Sequence, residues 1–163
     1  MTDQKYISFS KPQKKRLITN ESHWVSNIQT DEQYAIIESM YNNNNDNEIV
    51  RRQIRQKLTG YKSQDIHNQL YDKDQFIDET TVIQLLYESK LTCFYCQGIV
   101  DLLYDYVRQS NQWTLERMNN SFGHNRENIV IACLRCNLRR RTMYHTRYLY
   151  TKQIGKQKVI KLP

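Results

Sequence analysis

The chain has 163 residues, a mean hydropathy of −0.82 and 24 Lys/Arg against 17 Asp/Glu. This length fits one domain with an appendage, no apolar run approaches the ~20 residues that cross a bilayer, and the start, MTDQKYISFSKPQKKR, lacks the apolar core of a secretory signal. The charge is one-sided: residues 1–90 carry 12 Lys/Arg against 13 Asp/Glu and residues 91–163 carry 12 against 4, which points the second half at a polyanion, most often nucleic acid, while the lack of an apolar span leaves no membrane partner expected.

In chain order, residues 1–29 read as an irregular basic segment. The run KPQKKR at 11–16 reads as a solvated tail, with a localisation signal or a phosphate-binding arm as alternatives. Residues 30–90 read as a helical region. Thr30 as N-cap with Gln33 three residues on fits a capping box, and Tyr34, Ile37 and Tyr41 then share a face. The NNNNDN stretch at 42–47 ends that helix. A second helix is expected over 48–58, with Val50, Ile54 and Leu58 inward, basic outer faces and Gly60 as C-cap. A short helix follows from Ser63 with Ile66 and Leu70 inward, then one over 78–89 with Val82, Leu85, Leu86 and Ser89 inward. His67 is expected to be structural.

From Leu91 the pattern changes. Residues 99–107 read as extended. WTLERM at 113–118 alternates like a strand, placing Trp113, Leu115 and Arg117 on one face and Thr114, Glu116 and Met118 on the other. NNSFG at 119–123 is turn chemistry, 128–132 is a buried strand, and 134–144 suits a helix bearing Arg135, Arg139, Arg140 and Arg141. Residues 147–163 form a basic, Tyr-rich segment. It reads either as a nucleic-acid contact, since basic charge interleaves with aromatics there, or as a strand or tail packed on the domain. His145 reads as a surface or phosphate contact.

All four cysteines fall in two pairs, Cys93/Cys96 and Cys133/Cys136, each with two residues between. In the intracellular setting expected here, cytoplasmic, nuclear or viral, paired spacing argues for a metal site over disulfides. Four thiolates suit structural Zn²⁺, which would supply part of the folding free energy of a half-domain with a thin core. Such a site is closed, so any chemistry needs a second centre.

The combined pattern, Cys-x-x-Cys, then Leu115-Glu116-Arg117, then Gly123-His124-x-x-x-Asn128, then Cys-x-x-Cys-Asn137, resembles the zinc-containing branch of the HNH endonucleases. The Asn directly after the last Cys is similar to the recombination endonuclease VII arrangement. The resemblance covers about residues 93–143. It implies an α+β chain in which a small helical region precedes a zinc-stapled ββα-metal domain over 91–146. It further implies hydrolysis of DNA phosphodiester bonds. Glu116 and Asn137 would hold a divalent ion, Mg²⁺ or Mn²⁺, and Asn128 would orient the catalytic histidine or tie its loop. A single such site nicks one strand, so double-strand cleavage implies a homodimer. Arg117 stands where the catalytic histidine usually follows the acid, and an arginine cannot serve as a base near neutral pH. It can bind phosphate or stabilise transition-state charge. His124 is then the base candidate, with loop packing as the alternative, while Arg135, Arg139, Arg140 and Arg141 face the nucleic acid.

Two rivals stand beside the nuclease. One is a catalytically degenerate form of the same fold that binds nucleic acid without cleaving it. The other is a protein-interaction module built on the helical half.

Overall fold

The structure, a computed structural model, describes residues 16–18 and 28–154. Expectations placed on residues 11–15 and on 155–163 lie outside the described residues. The element order is α1 (Thr30–Tyr41), α2 (Glu48–His67), α3 (Glu79–Glu88), β1 (Trp113–Arg117), β2 (Ile129–Cys133), α4 (Leu134–Arg140) and α5 (His145–Ile154). A single 3-10 turn (Arg126–Asn128) precedes β2. This is an α+β arrangement, and no helix of the described residues is long and apolar enough to cross a membrane.

α1 is capped by Gln29, one residue before the expected Thr30. The backbone N–H of Gln29 donates to Glu32 Oε2 at 3.1 Å, so Glu32 and not Gln33 closes the box. Gln33 turns inward instead. Its Oε1 accepts from the backbone N–H groups of Leu102 and Leu103 at 2.8 and 3.1 Å, tying α1 to the segment before the sheet.

α2 runs through Gly60 to His67, merging two expected helices into one of 20 residues. Its N-cap is Asn47, whose Oδ1 accepts from Val50 N–H at 3.1 Å. A mid-helix glycine costs about 1 kcal/mol, and packing outweighs it: Tyr61 and Asp65, both beyond the glycine, dock on the hairpin. The expected inward Ile66 is exposed, because Asp65 takes the inward position. His67 is exposed at the helix end rather than packed. The arginines of α2 are largely neutralised: Arg51 pairs with Asp46 and Glu79, and Arg55 with Glu48 and Glu79. α3 starts at Asp78, which caps Thr81 N–H at 2.8 Å.

Residues 99–107 form bends and isolated bridges, not a strand. Leu102, Leu103 and Tyr104 are buried in succession, which straight alternation would not allow. The two strands pair antiparallel with Trp113 opposite Cys133, Leu115 opposite Ile131 and Arg117 opposite Ile129. One apolar core spans both halves of the chain, joining Ile37, Ile54 and Leu86 to Leu91, Trp113, Leu115 and Ile131.

α4 stops four residues before the expected end. Arg141 takes a left-handed φ of 53°, and its carbonyl accepts from Asn120 Nδ2 at 3.1 Å. α5 then begins at His145, so residues 145–154 are helical where a strand or tail was the alternative to a nucleic-acid contact. Tyr148 anchors α5, its ring meeting that of Tyr95 edge-on at 4.9 Å.

Candidate functional site

The turn after α3 presents Cys93 and Cys96, while the end of β2 and the first turn of α4 present Cys133 and Cys136. The four sulfur atoms lie within 4.8 Å of one another, and all four cysteines are free. A tetrahedral ion with metal–sulfur bonds of about 2.3 Å spaces its sulfurs about 3.8 Å apart, and the Cys96 and Cys133 sulfurs are 3.9 Å apart. The geometry fits a structural metal such as zinc. The chemistry of the donors points the same way. A hydrogen bond to Cys133 and burial push the Cys93 thiol up to about 12, and burial with the Cys93 charge pushes Cys136 up to about 11. Left to themselves those two thiols stay protonated near neutral pH. A dication at the centre reverses that preference.

The cluster fixes α4 across one face of β1. Asn137 follows Cys136, and its Nδ2 donates to Thr114 Oγ1 at 3.2 Å. One turn on, Arg140 lies under the same face and pairs with Glu116. Arg140 also donates to the Met143 carbonyl at 2.6 Å, the Arg117 carbonyl at 2.6 Å and Asn120 Oδ1 at 2.7 Å. Glu116 is 5% exposed and Arg140 3%. Burial raises the Glu116 carboxyl above the ordinary glutamate value, against the pull of Arg140 and, more weakly, Arg117. The expectation that Arg140 reaches out to nucleic acid is therefore corrected. Its cationic head is inside, where it satisfies the carboxylate and three oxygens of the hairpin and the α4–α5 turn.

The resemblance placed a divalent ion between Glu116 and Asn137, and the side chains do not fit one as they stand. The carboxylate faces a guanidinium, and the Asn137 amide turns a hydrogen toward Thr114. An oxygen-seeking cation needs both groups as acceptors.

His124 lies apart from this pair. The side chains of Thr114 and Glu116 reach α4, whereas those of Trp113 and Arg117 reach α2. His124 is on the α2 side. Its backbone N–H donates to Asp65 Oδ2 at 2.6 Å, and its Nδ1 faces Asp65 Oδ1 at 2.8 Å. The Tyr61 ring lies tilted against the imidazole at 4.3 Å while its hydroxyl accepts from Leu115 N–H at 3.1 Å. Asp65 is fully buried. Burial lowers the pKa of His124 below the ordinary histidine value, with Asp65 opposing. Desolvation favours the neutral imidazole, which with its proton on Nδ1 donates to the carboxylate.

The loop from 119 to 124 is held from several sides. Asn128 Nδ2 donates to the carbonyls of Asn119 and Gly123 at 2.9 and 3.0 Å, and its Oδ1 accepts from Asn119 N–H at 2.9 Å. Asn128 thus ties the loop. Arg117 donates to the Phe122 carbonyl at 3.2 Å and sits 3.8 Å from Asp65. Gly123 admits no side chain: an added Cβ would sit 2.5 Å from the Leu70 carbonyl oxygen and 2.8 Å from Asp65 Oδ2.

Arg135, Arg139 and Arg141 are exposed, as is Arg147 on α5, and none forms an ion pair among the described residues. His145 is half-buried at the start of α5. Asp65 and Tyr61 were not visible as site residues from the sequence. The one available signal for Asp65 was its spacing, since it continues the inward face of Ile54 and Tyr61 once α2 is taken as unbroken. Comparison of the chain with protein-family models, with curated proteins and with solved structures found no match.

Proposed function

We propose that this chain is a zinc-stapled ββα module that binds nucleic acid through the basic side formed by α4, α5 and their connection, without a catalytic metal centre. The observation that carries the reading is the fate of Glu116. Its carboxylate is used inside the fold to hold Arg140, so it braces the hairpin against α4. The arginines around it, Arg135, Arg139, Arg141 and Arg147, stay exposed and pair with no carboxylate among the described residues, Arg135 leaning instead on the Cys96 and Cys133 sulfurs. From Leu134 to Ile154 there are six Lys/Arg and no Asp or Glu. An unneutralised cationic surface on a rigid metal-bound core suits a phosphate backbone. Zinc is the ion we assign to the cysteine cluster, on its four-sulfur donor set and the sulfur spacing.

The test is retardation of DNA and RNA by zinc-loaded protein over a salt series. The reading expects affinity to fall steeply with salt, by a log–log slope near −0.9 for each duplex phosphate neutralised. Absence of binding at about 50 mM salt, where such contacts are strong, overturns it.

A second reading, a divalent-metal-dependent endonuclease of the HNH kind, is favoured by the Asp65–His124 pair. A carboxylate behind Nδ1 of a neutral imidazole is how a general base is oriented. That reading requires Glu116 to exchange Arg140 for a cation and His124 to reach the same phosphate from the other side of β1. Nicking of supercoiled plasmid with Mg²⁺ or Mn²⁺, lost in Glu116→Ala, establishes it over the first.

A further inference from the structure

The basic side carries large apolar groups that a phosphate backbone does not use. Tyr144 is 80% exposed at the entry to α5 and Tyr150 is 64% exposed on its outer face. Arg147 stands one turn from each, three residues after Tyr144 and three before Tyr150. On α4 the outward face is Arg135, Leu138 and Arg139, with Leu138 59% exposed. The inward side of α5 is already engaged through Tyr148 against Tyr95. Neither exposed tyrosine ring meets another aromatic ring, and neither hydroxyl forms a hydrogen bond, among the described residues.

We infer that this face binds single-stranded nucleic acid, with unpaired bases stacking on Tyr144 and Tyr150 and phosphates running along Arg139, Arg141 and Arg147. The inference rests on the nucleic-acid reading above and names its substrate class. The physical ground is what each form of nucleic acid exposes. A duplex hides the faces of its bases and offers phosphates and groove edges, which leaves surface tyrosines without a partner. A single strand offers a π-face at every nucleotide, and a ring flanked by guanidinium groups accepts any base. α4 is also poorly placed to read a groove. It has seven residues, and Cys136, Asn137 and Arg140 are turned inward to the metal cluster and the hairpin.

The test uses full-length, zinc-loaded protein and fluorescent 20-nucleotide probes: mixed-sequence single-stranded DNA, the same sequence as RNA, and the DNA duplex. Tyr144→Ala, Tyr150→Ala, both Phe counterparts and Arg147→Gln are compared. The expected result is preference for both single strands over the duplex. Each Tyr→Ala change weakens single-strand binding about 5- to 100-fold, the Phe variants retain it, and duplex binding moves little. Arg147→Gln lowers the salt slope on single strands by about 0.7 while leaving the Phe and Ala contrast intact. These positions are solvent-facing, so zinc content and helix signal should be unchanged. Duplex binding as tight as single-strand binding, or Tyr→Ala variants that bind as wild type, overturns the inference and leaves the general nucleic-acid reading standing. Binding to none of the three probes overturns both.

Discussion

The guanidinium of Arg140 closes over the carboxylate of Glu116 inside the molecule, and the two side chains join β1 to α4. Breaking a buried pair strands the remaining charge, which costs about 3–5 kcal/mol. Arg140→Met and Glu116→Gln should each destabilise the fold, and the double variant should lose less than the sum, with a coupling of about 1–3 kcal/mol. Urea denaturation of the three variants measures this. Strictly additive losses would mean that the pair does not act as a unit.

The hairpin loop is moulded on α2. Gly123→Ala drives a methyl group into the Leu70 carbonyl and the Asp65 carboxylate, so it should destabilise by at least the ~1–3 kcal/mol typical of overpacking. Asp65→Asn keeps the shape but weakens the two acceptor contacts to His124, at about 1.5–3 kcal/mol. Thermal melts check both, and imidazole NMR shifts report whether His124 leaves its Nδ1–H tautomer in Asp65→Asn. A Gly123→Ala protein as stable as wild type would contradict the packing described.

Lys57 supplies a pH signature. Its ammonium group lies over the rings of Tyr104 and Trp113, donates to the Trp113 carbonyl at 2.8 Å and Gln112 Oε1 at 3.1 Å, and has no carboxylate partner among the described residues. Desolvation lowers its pKa to about 7. The unfolded chain binds this proton up to the ordinary value of 10.5, so between about 7 and 10.5 the unfolded state holds more protons and the Lys57 contribution to stability rises with pH. Below 7 both states are protonated and the penalty is complete. Stability measured at pH 7 and pH 9 should increase more in wild type than in Lys57→Met. Parallel pH profiles would contradict this.

Removing the metal should undo the second half first. Without it, Cys93 and Cys96 have no bond to Cys133 and Cys136, and the seven-residue α4 is too short to stand alone. Chelation, or Cys136→Ser, should release one metal ion per chain and reduce helix signal together with nucleic-acid binding. Metal analysis and circular dichroism follow this. Unchanged spectra after complete metal loss would show that the cluster is not structural.

The sequence announced those features whose chemistry is local. Two cysteine pairs at two-residue spacing, a strand read from WTLER and a helix beginning at the last cysteine pair are each written within a dozen residues. The partners of His124 were hidden because Asp65 is 59 residues away and belongs to a helix that Gly60 seemed to end. In the sequence Arg140 reads as one of four equivalent arginines, with Arg135, Arg139 and Arg141. Helical periodicity separates it from its neighbours: it lies four residues after Cys136 and three after Asn137, on the face that the metal cluster turns inward. α5 was missed because its apolar content is tyrosine and leucine among cations, and only Tyr148 is buried.

The most direct test is to incubate zinc-loaded protein with supercoiled plasmid and a single-stranded circle, in Mg²⁺ and then Mn²⁺, at concentrations where gel retardation shows the DNA fully bound, beside Glu116→Ala. Bound, uncut DNA is the expected result for the wild type. Nicking by the wild type that disappears in Glu116→Ala would contradict it and make Glu116 a metal ligand in place of a brace for Arg140.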